Sequence, residues 1–171
     1  RRRRYQNPHI VPSLVWRDCT TEGKDAKSVA HNLSVFSTEQ GNMTQTIELE
    51  INGTPPDLSG LVCDAFICES FAFDGKVFAP ANVSHISFGG RQYRAYFDCG
   101  IIFWRSSSTP PEPWSDPEQG WNCPHIDVGA LAGVVGVALN GYVMAPTATG
   151  STIAFHFANG VQIRLEDMND E

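Results

Sequence analysis

The chain is predicted to be all-β, a sandwich or barrel of about eight or nine strands, and three observations lead there. The first is a hairpin near the C-terminus: Ile153, Phe155 and Phe157 alternate up to Asn159-Gly160, and Val161, Ile163 and Leu165 alternate after it. Both flanks keep the two-residue period of a strand, and Asn-Gly is the strongest short hairpin signal. The second is the density of strand-prone aromatic and β-branched runs between 61 and 104, cut by Asp74-Gly75 and Gly89-Gly90. The third is negative: no stretch carries a convincing 3.6-residue apolar period, and no internal repeat is found.

Taken in order, Asn7-Pro8 and Val11-Pro12 force an extended path, so residues 1–12 read as a basic arm and hinge, and 13–171 as one domain. Leu14-Val15-Trp16 opens the first strand, and Thr20 to Lys27 is polar enough for a turn of helix. Thr44 to Ile51 is expected as a half-buried strand, with Ile47, Leu49 and Ile51 on one face and Glu48 and Glu50 on the other. Asn52 to Asp57 is a loop. Leu61 to Phe73 and Val77 to Phe88 make a hairpin around Asp74-Gly75. Gln92 to Trp104 is expected as one central strand with a bulge at Gly100. Ser106 to Asp127 holds Pro110, Pro111, Pro113, Pro117 and Pro124; so long a connection is usually functional, and Trp114 and Trp121 are suited to pin it to a surface. Val134 to Leu139 and Tyr142 to Met144 are expected to form a further hairpin around Asn140-Gly141, and the acidic tail after Leu165 to fray.

With 171 residues, 42% hydrophobic and only 18% charged, the composition suits one core and favours an assembly that hides surface. The longest apolar run, Val128 to Leu139, is broken by Gly129, Gly133 and Gly136 and is too short for a bilayer, so no membrane partner is expected. Cys19, Cys63, Cys68, Cys99 and Cys123 are odd in number and lack familiar zinc spacing; reduced buried thiols are the expectation, a disulfide framework the alternative.

Enzyme motifs are missing: there is no nucleophile elbow, no His-Glu-x-x-His and no phosphate-cradling glycine loop. The chain is therefore expected to be no enzyme. His9, His31, His85, His125 and His156 are scattered singly and read as solvated or hydrogen-bonded, though a nuclease could bring two histidines, or His and Glu, together in space. No cofactor is expected; Asp116, Glu118 and Asp127 are weak candidates for a structural Ca²⁺ between subunits, in a loop without regular calcium spacing. Sequons at Asn32, Asn42, Asn52 and Asn82 support a rival reading, a secreted or surface glycoprotein recognition domain.

Arg1, Arg2, Arg3 and Arg4 hold a third of the 12 basic residues, and the remaining 8 face 19 acidic ones, a body near −11. Such a division marks an arm for an anion, and an arginine run without base-reading groups would bind RNA phosphates without sequence preference. Arg91, Arg94 and Arg105 are expected to pair with carboxylates more readily than to touch RNA.

A basic arm, a proline-bearing hinge, about eight strands and no catalytic motif together resemble the small jelly-roll coat proteins of satellite and other tiny RNA viruses. The resemblance is architectural, spans Arg1 to about Leu165, and rests on no diagnostic motif. It implies an antiparallel jelly roll whose copies close into a small icosahedral shell, with the arms directed inward onto genomic RNA and the virion as its location.

Overall fold

The computed structural model describes residues 13–17 and 48–168. In chain order the strands are β1 (Ser13–Arg17), β2 (Ile51–Asn52), β3 (Cys63–Phe73), β4 (Lys76–Phe88), β5 (Arg91–Asp98), β6 (Ile101–Ser107), β7 (Trp114–Asp116), β8 (Trp121–Cys123) and β9 (His125–Asp127). A five-residue helix, α1 (Val128–Ala132), then precedes β10 (Leu139–Pro146), β11 (Ser151–Phe157) and β12 (Gln162–Met168).

The fold is all-β, in two sheets. One has the order β1-β12-β11-β10; the other has eight strands, β2-β6-β5-β4-β3-β8-β7 with β9 also on β3, and is mixed because β2 runs parallel to β6. Alternate residues of β3 and β11 are buried, and their inward faces meet: Phe66 stands edge-on to Phe155 at 5.2 Å, and Phe88 stacks near Phe157 at 6.3 Å. One buried cluster, including Trp104, Ile86, Ile153 and Leu165, fills the space between the sheets. Strands β3 to β6 are four consecutive neighbours and β10 to β12 three more, so both sheets are largely meanders. A jelly roll interleaves its strands by long crossings; that order is not shown among the described residues.

Turn chemistry sets most of these pairings. Asp74 and Gly75 both take positive φ, 46° and 75°, the type I′ geometry whose twist suits a hairpin, and Gly89-Gly90 does the same between β4 and β5. Four expectations are corrected. Gly100 does not mark a bulge: Cys99 and Gly100, at φ 50° and 82°, turn the chain and split the expected single strand into β5 and β6. Asn140-Gly141 does not turn a hairpin; it lies in β10, where the register shifts, and the turn falls later, closed by Thr147 N–H to the Gly150 carbonyl at 2.9 Å. Part of the apolar run before it is helix, capped by Asp127 accepting from Ala130 N–H at 2.9 Å. The last hairpin pairs Ile153 with Leu165 and Phe155 with Ile163, but its loop is longer than two residues. Gly160 N–H reaches the Phe157 carbonyl and Phe157 N–H the Val161 carbonyl, the three-residue turn with a left-handed glycine.

Of the expected strand from Thr44, residues 44–47 lie outside the described residues. Beyond them Leu49 and Ile51 are half-buried and Glu48 and Glu50 exposed, yet only Ile51–Asn52 is strand. The arm and hinge, Arg1 to Pro12, and the polar segment Thr20 to Lys27 also lie outside the described residues.

Candidate functional site

The outward face of the eight-stranded sheet carries the one group of metal-ligating side chains among the described residues: Glu69 on β3, His85 on β4 and His125 on β9. Backbone pairing explains the meeting. Glu69 lies directly across from His125, and His85 lies across from Ile67, two residues along β3 on the same face. Directly opposed and diagonal neighbours on one face are within side-chain reach. His85 Nε2 lies 3.2 Å and His125 Nε2 3.6 Å from the same oxygen, Glu69 Oε2, and all three ligand atoms fall within 4.8 Å of one another. The rings are 5.7 Å apart at 41°.

A break in the β3–β4 pairing puts His85 there. At the turn Phe73 pairs with Lys76, but beyond irregularities at Ala72, Phe71 and Glu69 the pairing reads Ile67 with His85. Continued without a break, the turn register would oppose His85 to Asp64. One surplus residue, Phe78, falls between Val77 and Ala79, and two more fall between Ala79 and Val83, around Pro80, which has no N–H to give a ladder and so tolerates a bulge. On its other edge β3 changes partner between β8 and β9. At the changeover Ser70 gives both its N–H, at 2.9 Å, and its hydroxyl, at 3.0 Å, to the Pro124 carbonyl, which fixes the residue before His125. The far end of β9 is held by the Asp127 cap and by Gly129, where a Cβ would come within 3.0 Å of the Phe66 nitrogen.

The three side chains are mostly enclosed: those of His85, His125 and Glu69 are 14%, 13% and 13% exposed. His125 Nε2 is shut off from solvent and has no hydrogen-bond partner among the described residues. An orphaned buried nitrogen of this kind costs free energy unless something satisfies it. Beside His85 a cavity of about 170 Å³ opens between Ala65, Ile67, Tyr93, Pro110 and Pro111. Its walls are chiefly apolar.

Basic side chains share this face. Arg94 lies across from His85 on β5, and Arg105 across from Arg94 on β6. The expected pairing of Arg91, Arg94 and Arg105 with carboxylates does not occur among the described residues, where the one arginine ion pair is Arg164 with Glu166. Arg105 instead gives hydrogen bonds to the Asn52 carbonyl at 3.0 Å, Asn52 Oδ1 at 2.8 Å and the Trp104 carbonyl at 2.8 Å, and lies over the Phe103 ring.

Other singled-out residues are placed as follows. Arg1 to Arg4 lie outside the described residues. Asp116 accepts from Gln119 N–H in the β7–β8 turn, Asp127 caps α1, and neither they nor Glu118 join a metal-ligating group among the described residues. His156 is exposed, opposite its buried neighbours Phe155 and Phe157, as expected. Cys63, Cys68 and Cys123 are free and buried, and Cys99 is exposed in the β5–β6 turn; burial pushes the Cys63 and Cys68 thiols up to about 11. Trp121 packs against Phe71 at 6.3 Å yet, like Trp114, stays exposed, and the connection expected as an irregular loop carries β7, β8 and β9 on the edge of the sheet. Comparison with protein-family models, curated proteins and solved structures finds no match to this chain.

Proposed function

We propose that this chain is a self-assembling coat subunit: copies of the β-sandwich close into a small shell, and Arg1 to Arg4 hold RNA inside it by phosphate contacts. A jelly-roll order belongs to this reading only through the resemblance of the sequence to such coat proteins. The observation that carries the reading is an aromatic end to the eight-stranded sheet. Phe73, Val77, Trp114 and Trp121 are all exposed around the β3–β4 and β7–β8 turns, and Phe71 and Phe78 extend the patch behind them. Apolar surface gathered in one place is what a subunit contact would cover.

The glycoprotein alternative is less well supported. Asn52, one of its sequons, sits half-buried with its side-chain oxygen held by Arg105, a poor acceptor for a bulky glycan. Cys63, Cys68 and Cys123 are free, buried thiols.

Electron microscopy and sedimentation of the full chain test the proposal, alongside a chain lacking Arg1 to Arg4 and a Phe73→Ser, Trp121→Ser double variant. Closed shells with nuclease-protected RNA are expected from the full chain. The arm deletion should lose the RNA, and the double variant should stay unassembled. Monomers from the full chain under all conditions, or RNA content unchanged by the deletion, would overturn it.

A further inference from the structure

We propose that Glu69, His85 and His125 form a binding site for a divalent transition metal of the zinc class, a property independent of shell assembly. The donor set points to it. Two imidazole nitrogens and one carboxylate oxygen suit a borderline ion, whereas calcium and magnesium prefer oxygen alone. Zn²⁺ holds such ligands at about 2.0–2.1 Å, and in a tetrahedron this separates neighbouring ligand atoms by about 3.3 Å. The observed 3.2 Å and 3.6 Å from Glu69 Oε2 to the two Nε2 atoms bracket that spacing. All three ligand atoms lie within 4.8 Å of one another, close enough for one ion to draw them onto a common centre.

The orphaned nitrogen is the second, independent observation. His125 Nε2 is buried without a hydrogen-bond partner among the described residues, and it lies beside a carboxylate oxygen that His85 already occupies. A cation would satisfy all three atoms at once, because it accepts a lone pair from each. Its ligands come from β3, β4 and β9 and are fixed by the pairing, so little conformational freedom is lost on binding. Only three protein ligands converge, which leaves a fourth position for water, as in sites that keep one open. Arg94, exposed across from His85, opposes the ion's charge; Glu69 offsets it directly.

The metal would join the three-residue β9 to the body of the sheet. Binding ions at a hundredfold their dissociation constant should therefore raise the thermal midpoint by about 5–10 °C. The experiment strips the full chain with chelator, titrates Zn²⁺ against a chromophoric competitor, and records the visible spectrum after adding Co²⁺. One equivalent per chain is expected, with the intense bands of tetrahedral Co²⁺. His125→Phe should lose that equivalent, with binding weakened at least about a hundredfold, while the exposed control His156→Ala keeps it. Wild-type protein that binds no Zn²⁺, or that shows only octahedral Co²⁺, overturns the site without any variant having to fold. So does undiminished binding by His125→Phe.

Discussion

Glu69 Oε2 is shared by two histidines, accepting from His85 Nε2 at 3.2 Å while His125 Nε2 stands 3.6 Å away with no hydrogen-bond partner among the described residues. The two imidazoles are thus unequal. Removing Glu69 strips His85 of its partner in a largely enclosed place, so Glu69→Ala should destabilise metal-free protein by about 1–3 kcal/mol. His125→Phe removes an unsatisfied polar atom and keeps the ring shape, and should be neutral or slightly stabilising. Urea denaturation of both variants, with chelator present, checks the contrast.

The sheets are joined chiefly by aromatic rings, and Phe155 is central among them. It is fully buried and lies 5.2 Å from Phe66, 5.5 Å from Tyr142 and 6.4 Å from Trp104, ring centre to ring centre. Phe155→Ala should cost about 3–5 kcal/mol through the cavity it leaves. Val143→Ala, on the exposed side of β10, should change stability by no more than about 0.5 kcal/mol. Denaturant midpoints of the two variants separate the predictions.

Local chemistry made the strands legible and long-range register hid the site. Asp74-Gly75 and Gly89-Gly90 declare their hairpins because Asp and Gly tolerate the left-handed conformation that both turn positions need. Cys99 takes the same conformation at φ 50° without advertising it, so β5 and β6 read as one strand. Small apolar residues at 128–132 gave no period long enough to reveal α1, whose cap residue Asp127 looked like part of an acidic loop. The Glu69, His85 and His125 group depends on a three-residue change in register along β3 and β4, from Phe73 with Lys76 to Ile67 with His85. Pro80 inside a strand-prone run was the available signal for that bulge. Nothing local to His125 shows that β9 returns to the edge of β3.

Alkaline pH should unfold the protein earlier than its surface charge would suggest. Burial, and then Asp57 and Tyr93, push Tyr142 from its ordinary 10.0 up to about 12, and its hydroxyl donates to the Pro56 carbonyl at 2.7 Å. Burial raises Cys63 and Cys68 from 9.0 to about 11. All three are acids whose folded form holds the proton more tightly than the unfolded chain. The stability they contribute is complete below pH about 9, and falls progressively as the pH rises to about 12. Urea midpoints at about pH 8, 10 and 11 should decline steadily, and Cys63→Ala should flatten the first part of that decline.

Gly53 is where backbone conformation and crowding act together. Its φ is +99°, a region that residues with a Cβ rarely adopt, and an added Cβ would overlap the Trp104 carbonyl oxygen and come within 2.8 Å of Arg105 Nη1. The same carbonyl accepts from Arg105, which also anchors Asn52, so a methyl group there would push β2 away from β6 and disturb both bonds. Gly90, at φ +75°, has nothing within 4 Å of the corresponding position, so alanine there meets only the conformational penalty, about 1–2 kcal/mol. Gly53→Ala should therefore be the more destabilising of the two by at least about 1 kcal/mol. Thermal or urea unfolding of the pair decides it: equal losses would mean that the approach of β2 to the Trp104 carbonyl is not close enough to exclude a side chain.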